Sequence, residues 1–326
     1  MKNHTVCYLG NNFSLQAGES VLEGLLRQGI DIPHSCRSGV CQSCLMRASN
    51  GNIPERAQRA IKETLKRQGY FLSCVCYPES DLEIVSSEEL RTRAEIAELY
   101  RLSNTVLLVR LLPQTTFDYF PGQFLSLIRE DGLTRSYSIA SQTSEPFLEL
   151  HIRKIANGEM SSWLFEQARV GDKVYIQGPA GSCFYLPGRP QQPLVLAGTG
   201  TGLAPLYAIA RDALSQKHKA DIWLFHGAVT QDGLYLVEEL ESLSRDYANF
   251  NYYPSVLEAG ADADLQVGSI DQVLLATLPK PIGWRAFVCG SPDIVDILKK
   301  KLFIAGVSMK DIYADAFLPS QNNRSS

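Results

Sequence analysis

The chain has 326 residues, of which 45% are hydrophobic and 20% charged, which is the composition of an ordinary globular protein. At this length we expect two or three domains. The net charge of −4 and the isoelectric point near 5.8 predict no binding to nucleic acid or to an anionic membrane. No apolar run reaches the ~18 residues of a membrane-spanning helix, and the N-terminus has no apolar signal core. Eight cysteines without a leader fit a reducing cytoplasm.

Four cysteines near the N-terminus form the most specific pattern in the chain. Cys36, Cys41 and Cys44 are spaced C-x4-C-x2-C, and Cys74 follows after a long gap, which is the plant-type spacing for a [2Fe–2S] cluster. The short loop can wrap three thiolates around two irons, so the fourth ligand must come from a distant segment. We expect Cys74 to lie on a strand, because the run Tyr70–Cys74 is β-patterned.

Zinc, disulfides and a redox-active CxxC are the alternative interpretations of these cysteines. Structural zinc prefers two knuckles, and only Cys41 and Cys44 form one. A thioredoxin-type CxxC would not have Cys36 so close, and disulfides need an oxidising compartment. We therefore predict an iron–sulfur cluster, and we interpret the extra Cys76 as a small buried hydrophobe.

This first segment resembles the plant-type ferredoxin domain. Ser20–Gly29 is similar to the first helix of that domain, and Ile32–Ser35 is similar to the run into its cluster loop. The resemblance implies a β-grasp α+β fold for residues 1–88. It also implies the metal ligands Cys36, Cys41, Cys44 and Cys74.

A polar run, Ser86–Arg93, predicts a linker or a short crossing segment, and strand-rich sequence follows it. Turn residues separate the short β-patterned runs, which favours a β-barrel over residues 94–188. The predicted strands are Thr105–Leu112, Phe124–Arg129, Ser136–Ala140, Phe147–Ile152 and Lys173–Gln177. One helix is predicted over Ser161–Ala168, with Ser161 or Ser162 as its N-cap.

From Pro193 onward, strands and helices alternate, which predicts a doubly wound parallel sheet over residues 189–326. The predicted elements are strands Pro193–Gly198, Asp221–Gly227 and Trp284–Gly290, and helices Pro205–Leu214, Leu236–Leu243 and Pro292–Leu302. A glycine loop, Gly198–Pro205, follows the first of these strands. Its spacing is G-x-G-x-G-x-x-P and not the G-x-G-x-x-G fingerprint of Rossmann domains.

Within the barrel segment, Arg135-Ser136-Tyr137-Ser138 resembles the flavin motif of the ferredoxin–NADP⁺ reductase superfamily. By that resemblance Arg135 pairs with the flavin pyrophosphate, Tyr137 stacks on the isoalloxazine ring and Ser138 hydrogen-bonds near flavin N5. A fixed cation, an aromatic face and a hydroxyl suit these roles.

A second flavin element is predicted where Gly158 precedes a helix, because a helix start offers free N–H groups to phosphate. Two phosphate-binding elements imply FAD rather than FMN. The expected contacts here are Met160, Ser161 and Ser162, and the resemblance places His151 and Arg153 on the ribose or adenine side. The alternative interpretation is a plain turn followed by a capped helix.

The resemblance extends to the pyridine-nucleotide site. It implies that the glycine loop binds NAD(P)H through Gly198, Thr199, Gly200, Thr201, Gly202 and Pro205. It also places Cys289, Gly290, Ser291 and Pro292 beside the nicotinamide and the flavin, and it makes Ser138 and Cys289 the expected catalytic residues. Phe317 is the candidate aromatic residue that covers the flavin face, and Asp315 is a second candidate there. A buried core role is the alternative for Cys289 and for Phe317.

In domain order the chain resembles reductase components of bacterial multicomponent oxygenases, and also reductases that serve deoxysugar dehydrases. The resemblance implies hydride transfer from a nicotinamide to FAD, then single electrons to the [2Fe–2S] cluster and to a partner protein. We expect NADH rather than NADPH, a transient partner that is an oxygenase or a dehydrase component, and a monomer. A non-enzymatic redox sensor is a third alternative, although no output motif accompanies it.

Overall fold

The computed structural model describes residues 4–32, 34, 37–39, 44–85, 91–258 and 265–317. The chain divides into two compact units, Met1–Arg91 and Thr92–Ser326. Most of the predicted linker, residues 86–90, lies outside the described ranges. Within those ranges, no helix combines the length and the apolar character that crossing a bilayer requires.

In the described part of the first unit, a mixed sheet has the strand order β2-β1-β5-β3-β4. Its elements are β1 (Thr5–Tyr8), β2 (Asn11–Ser14), α1 (Val21–Arg27), β3 (Leu45–Asn50), α2 (Glu63–Arg67), β4 (Tyr70–Leu72) and β5 (Leu82–Ile84). β1 and β5 are parallel, and the other pairs are antiparallel. Helix α1 buries its apolar face in the core that the sheet covers. This is the predicted α+β fold.

Helix α1 begins where the sequence predicts, because Ser20 and Glu23 form a capping box. The Ser20 hydroxyl accepts from the Glu23 N–H at 3.3 Å, and the Glu23 carboxylate accepts from the Ser20 N–H at 2.9 Å. Each side chain satisfies a backbone donor that the helix start leaves unpaired.

The prediction that Cys74 lies on a strand is wrong. β4 ends at Leu72, and Ser73–Val75 form a single 3₁₀ turn. The pairing of β4 with β3 stops at the pair Leu72 and Leu45, because β3 begins there. After one more backbone hydrogen bond, from the Ser73 N–H to the Cys44 carbonyl, the chain turns and Cys74 is buried.

The second unit begins with an antiparallel barrel in the order β10-β7-β6-β11-β8-β9. Its elements are β6 (Arg91–Arg101), β7 (Val106–Pro113), β8 (Phe124–Ile128), β9 (Thr134–Ser138), β10 (Leu148–Arg153), α3 (Glu159–Glu166) and β11 (Lys173–Ala180). An antiparallel bridge between Ile139 and Leu150 joins the two edges of this sheet. The predicted six-stranded barrel is therefore present and closed, with an apolar interior.

Two sequence expectations for the barrel need correction. The end of the predicted linker belongs to β6, whose charged residues alternate with buried ones such as Ala94 and Ile96. Helix α3 begins at Glu159 with Gly158 as its N-cap, so neither Ser161 nor Ser162 caps it. Ser161 instead lies inside the first turn, where its hydroxyl donates to the Gly158 carbonyl at 3.1 Å.

The remainder of the second unit is a parallel sheet in the order β15-β14-β13-β12-β16-β17. Its elements are β12 (Leu194–Thr199), α4 (Leu203–Ser215), β13 (Ile222–Ala228), α5 (Val237–Asp246), β14 (Phe250–Val256), β15 (Gln266–Val267), α6 (Ile270–Thr277), β16 (Arg285–Gly290), α7 (Pro292–Ala305) and β17 (Ile312–Ala316). Separate apolar clusters under α4 and α5 and under α6 and α7 cover the two faces. The predicted doubly wound sheet is thus confirmed.

Strand β14 and helix α6 were not predicted. β14 reads Phe-Asn-Tyr-Tyr-Pro-Ser-Val, and its asparagine and proline hide the strand pattern. It forms because β13 offers it a continuous parallel partner from Ile222 to Ala228. The strand order reverses between β12 and β16, and ligands of such sheets bind at this switch point, outside the carboxyl ends of the strands.

Candidate functional site

Cys44 and Cys74 lie side by side in the first unit. Both side chains are almost fully buried, at 3% and 6% exposure. Ser73 joins their backbones, because its N–H and its hydroxyl both donate to the Cys44 carbonyl, at 3.1 and 2.9 Å. Two of the four predicted ligands are therefore brought together by contacts that involve no metal.

The cysteine loop packs against the turn that carries Cys74. Gly39 is buried with a φ of +77°, and a Cβ at this position would lie 3.1 Å from a Val75 methyl group. Only glycine suits both the left-handed backbone and this close approach. The predicted ligands Cys36 and Cys41 lie outside the described residues. The thiol donors, their burial and the packed loop fit an iron–sulfur cluster.

In the second unit, strand β9 carries the predicted flavin motif. Tyr137 is half-buried and packs against the barrel core, whereas Arg135 is partly exposed. Burial raises the pKa of the Tyr137 hydroxyl, against a smaller opposing effect of the Arg135 charge. The tyrosine therefore stays neutral, which suits the predicted stacking on the isoalloxazine ring.

Ser138 connects β9, the strand with the predicted flavin motif, to β17, the last strand of the parallel sheet. Its hydroxyl lies 3.4 Å from the Asp315 carboxylate. Burial raises the pKa of Asp315 to about 6, and the hydrogen bond from Ser138 offsets this only in part. The tertiary structure thus places a hydroxyl beside a carboxyl group that titrates near neutrality.

The start of α3 fits a phosphate group at the second predicted flavin element. A Cβ on Gly158 would lie 2.6 Å from the Ser161 hydroxyl, so glycine is required here. Ser161 braces the turn, because its hydroxyl also accepts from the Ile155 N–H at 3.2 Å. Met160 is buried in the barrel core, and Ser162 is partly exposed. Of these side chains, that of Ser162 is the most accessible to a ligand.

His151 and Arg153 end strand β10 and differ sharply in exposure. His151 is 4% exposed and hydrogen-bonds protein groups through both ring nitrogens, whereas Arg153 is exposed. A Cβ on Gly200 would lie 3.8 Å from a guanidinium nitrogen of Arg153. The end of β10 therefore lies beside the glycine loop.

The glycine loop crosses the carboxyl end of β12 and leads into α4. Gly200 has a φ of +53°, and among the described residues, its chain neighbours aside, only the Arg153 guanidinium lies within 4 Å of a Cβ built on it. Gly202 instead contacts the neighbouring strand, since a Cβ there would lie 2.3 Å from the Cys289 carbonyl oxygen. Pro205 is buried in the first turn of α4. The open, arginine-flanked side of Gly200 fits an anionic nucleotide.

Cys289 and Gly290 end strand β16 directly against the glycine loop. The Cys289 side chain is fully buried, and its sulfur lies 3.8 Å from the sulfur of Cys183. Burial raises the pKa of the Cys289 thiol well above its ordinary value. The Gly290 carbonyl accepts from the Phe317 N–H at 2.8 Å, so the half-buried Phe317 lies at the same edge. Ser291 occupies the N-cap position of α7 without a side-chain capping hydrogen bond, and Pro292 is the first residue of the helix.

The structure also joins His151 to residues that the sequence did not single out. Glu149 accepts from the Arg110 guanidinium at 3.0 Å, and its other oxygen lies 3.1 Å from His151 Nε2. The hydroxyl of Tyr235 lies 3.2 Å from His151 Nδ1. These residues come from the barrel and from the loop after β13, so no local sequence pattern could have revealed them.

Three family models match consecutive parts of the chain. A 2Fe-2S iron-sulfur cluster binding domain matches residues 5–79, an oxidoreductase FAD-binding domain matches residues 94–185 and an oxidoreductase NAD-binding domain matches residues 196–300. The predicted cofactors, a [2Fe–2S] cluster, FAD and a nicotinamide nucleotide, are thereby confirmed.

Relatives match over nearly the full length. The naphthalene 1,2-dioxygenase system ferredoxin–NAD(P)⁺ reductase component of Pseudomonas putida is 30% identical over 93% of this chain and 94% of that protein. The aromatic O-demethylase reductase subunit of an Amycolatopsis species is 30% identical over 95% of this chain and 97% of its own. Protein RfbI of Salmonella typhimurium is 27% identical, covering 95% and 94%.

Solved structures agree with these relatives. The cytochrome P450 reductase GcoB of Amycolatopsis superposes with a TM-score of 0.68 at 27% identity, covering 97% of this chain and 99% of that one. The ferredoxin reductase in carbazole 1,9a-dioxygenase gives a TM-score of 0.66 at 26% identity, with the same coverage. The similarity therefore includes all three domains.

Proposed function

Because this chain belongs to the family of reductase components that pass electrons from NAD(P)H through FAD and a [2Fe–2S] cluster, we propose that its acceptor is the oxygenase component of a multicomponent oxygenase. Bound FAD would supply the conversion of a two-electron hydride donor into a source of single electrons. The protein's own groups bind and orient the partners of this transfer. We further propose that NADH is the donor, that the chain is a monomer and that it docks transiently on its acceptor.

One observation carries the assignment of the transfer site. The Ser138 hydroxyl lies 3.4 Å from Asp315, so the flavin strand of the barrel meets the carboxyl edge of the nucleotide sheet. The glycine loop, Gly290 and Phe317 lie at that same edge. We therefore propose that Tyr137 and Ser138 contact the isoalloxazine, that Arg135 and the start of α3 bind its phosphates, and that Gly200 and Arg153 contact the nucleotide.

The assignment is tested with purified holoprotein. Metal and sulfide analysis should find about two irons and two acid-labile sulfides per FAD. NADH should reduce ferricyanide through the flavin, and NADH should reduce the oxygenase component only when the cluster is present. Failure to turn over NADH with both cofactors loaded would instead favour a redox sensor. Reduction of a deoxysugar dehydrase in place of an oxygenase would favour the second candidate acceptor.

We expect NADH to give a higher kcat/KM than NADPH, by roughly tenfold or more. A 2′-phosphate needs a nearby cation. The loop from His226 to Tyr235 contains neither lysine nor arginine, and its exposed Asp232 would repel the phosphate. Arg211 is paired with Glu145 instead. Steady-state kinetics with both nucleotides measure the ratio, and Asp232→Arg should reduce it. A higher kcat/KM with NADPH for the unmodified protein would reject the proposal.

We propose that the acceptor docks on the rim of the cysteine loop, at Arg37 and Ser38, with Arg47 nearby in sequence. Val40 and Gln42, which belong to the same rim in the sequence, lie outside the described residues. Arg37 is exposed, and its guanidinium donates to His34 Nε2 at 2.8 Å. An exposed cation suits an acidic patch on the partner, with coupling that weakens as salt rises.

Arg37→Glu should slow reduction of the oxygenase component by roughly three- to tenfold at low salt, since rim charges act on association. NADH–ferricyanide turnover and the cluster spectrum should not change. Lys280→Glu makes the same change of net charge at an exposed position in the second unit and serves as the control. Arg37 is not a docking residue if both variants slow reduction of the acceptor equally. The same conclusion follows if Arg37→Glu changes the cluster spectrum as much as it changes the rate of acceptor reduction.

A further inference from the structure

A buried chain of hydrogen bonds connects the barrel to the loop that follows β13. It begins with the Arg110 guanidinium, which pairs with both Glu98 and Glu149. It continues from Glu149 Oε1 to His151 Nε2 at 3.1 Å, and from His151 Nδ1 to the Tyr235 hydroxyl at 3.2 Å. The His151 side chain is fully buried, and Tyr235 is 2% exposed.

The protonation states of Glu149 and Tyr235 follow from their burial and from the neighbouring groups. Burial alone would raise the pKa of Glu149, but the hydrogen bonds and charges of His151 and Arg110 outweigh it and lower the pKa. Glu149 is therefore a carboxylate and can only accept, so His151 donates from Nε2. Burial raises the pKa of Tyr235, which keeps its proton. The Tyr235 hydroxyl and His151 Nδ1, 3.2 Å apart, form the last hydrogen bond of the chain.

Tyr235 belongs to a loop at the carboxyl edge of the parallel sheet. The loop starts beyond Ala228, where β13 ends, and it ends at Leu236, whose φ of +55° turns the chain into α5. Near the end of β13, a Cβ on Gly227 would lie 3.1 Å from the methyl group of Thr199, which belongs to the glycine loop. The loop that carries Tyr235 therefore leaves the sheet beside the glycine loop. Ligands of doubly wound sheets bind at this edge.

The end of β10 thus contacts both nucleotide loops. Arg153 lies beside Gly200 of the glycine loop, and His151 holds Tyr235 of the loop after β13. The ring of Tyr235 also stands edge-on to the rings of His151 and His226, with centroids 5.3 and 5.7 Å away. A single barrel strand therefore fixes the loops between which a nucleotide would lie.

We propose that Tyr235, held by His151 and Glu149, is a positioning residue that fixes the loop after β13 for NADH binding. The inference rests on the nucleotide site proposed above. In this arrangement His151 affects nucleotide binding only through Tyr235. Its ring nitrogens contact Glu149 and Tyr235 rather than the flavin. Without the anchor, NADH would have to order the loop on binding, which weakens affinity and leaves the hydride-transfer geometry intact.

Tyr235→Phe in the holoprotein is the direct test, because it removes one hydroxyl and keeps the ring packing. We expect the KM for NADH and the Kd for NAD⁺ to rise by roughly fivefold, the equivalent of one net hydrogen bond. The kcat for ferricyanide reduction should change by less than about twofold, and FAD content should not change. Hydrogen exchange of the amides between Val229 and Tyr235 should become faster.

Tyr252→Phe is the matched control. The Tyr252 hydroxyl contacts His226 Nδ1 at 3.1 Å, so this variant breaks a similar tyrosine–histidine contact without reaching the barrel. Its KM for NADH should equal that of the unmodified protein. A second variant, His151→Gln, should reproduce the higher KM with FAD retained.

Three outcomes would overturn the inference. One is an unchanged KM and Kd in Tyr235→Phe, with a lower melting temperature alone, which indicates a purely structural hydrogen bond. Another is an equal rise in KM in both tyrosine variants. The third is loss of FAD from His151→Gln, which would assign His151 to the flavin. Absence of NADH turnover in the unmodified holoprotein would instead refute the proposed donor.

Discussion

Cys74→Ser is expected to abolish the iron–sulfur centre while FAD stays bound. Serine is a poor ligand for iron, and Cys74 supplies the only predicted thiolate from outside the cysteine loop. The predicted flavin residues lie in a separate compact unit, so the barrel should fold as before. Metal analysis, acid-labile sulfide and the visible spectrum measure the cluster. NADH–ferricyanide turnover should persist, whereas reduction of the one-electron acceptor cytochrome c should fall by at least about tenfold, because a path through the cluster is lost.

Cys76→Ser is the control for this experiment. Cys76 lies two residues further along and is 0% exposed, and burial raises the pKa of its thiol to about 12. A protonated, buried thiol is a packing group, so its replacement should lower stability and keep the irons. Cys41→Ser should behave like Cys74→Ser. Finding zinc without sulfide in the unmodified protein, or an intact cluster in Cys74→Ser, would contradict the ligand assignment.

Ser138→Ala is expected to slow flavin reduction by NADH by roughly ten- to a hundredfold, the usual range for loss of one well-placed group at a reacting atom. Its FAD affinity should change little, since Tyr137, Arg135 and the start of α3 remain. Anaerobic stopped-flow measurement of flavin bleaching gives the rate. Ser136→Ala is the control, because Ser136 lies on the same strand but is exposed. Equal rates in Ser138→Ala and the unmodified protein would remove Ser138 from the site.

The rate of flavin reduction by NADH should also depend on pH through Asp315. Burial raises the pKa of this carboxyl group to about 6. Below this pH the carboxyl group is protonated. Above it, the carboxylate accepts a stronger hydrogen bond from the Ser138 hydroxyl, and its negative charge opposes the negative charge that reduction would add to the flavin. The rate of flavin reduction should therefore fall as the pH rises through about 6. Asp315→Asn cannot ionise and should lose this inflection. An inflection that persists in Asp315→Asn must belong to another group.

Local sequence determined the identity of the chemistry. Three of the four cysteines, the run from Arg135 to Ser138 and the glycine loop are each short local motifs, because each is predicted to bind its ligand with one loop or one strand. Hydrophobic periodicity predicted most strands and helices for the same reason, since it reflects the burial of single elements. Among the elements that it missed are β6 and β14, whose polar residues are compensated by pairing with neighbouring strands.

Only the tertiary structure decided which groups meet. Ser138 and Asp315 are 177 residues apart in sequence, and His151 and Tyr235 are 84 apart, so their contacts depend on how the barrel packs against the parallel sheet. The burial of these side chains also could not be predicted from the sequence. Burial keeps the Cys289 thiol protonated and raises the pKa of Asp315 to about 6. A pKa depends on the groups and the solvent that surround a side chain in space, and those are fixed when the chain folds.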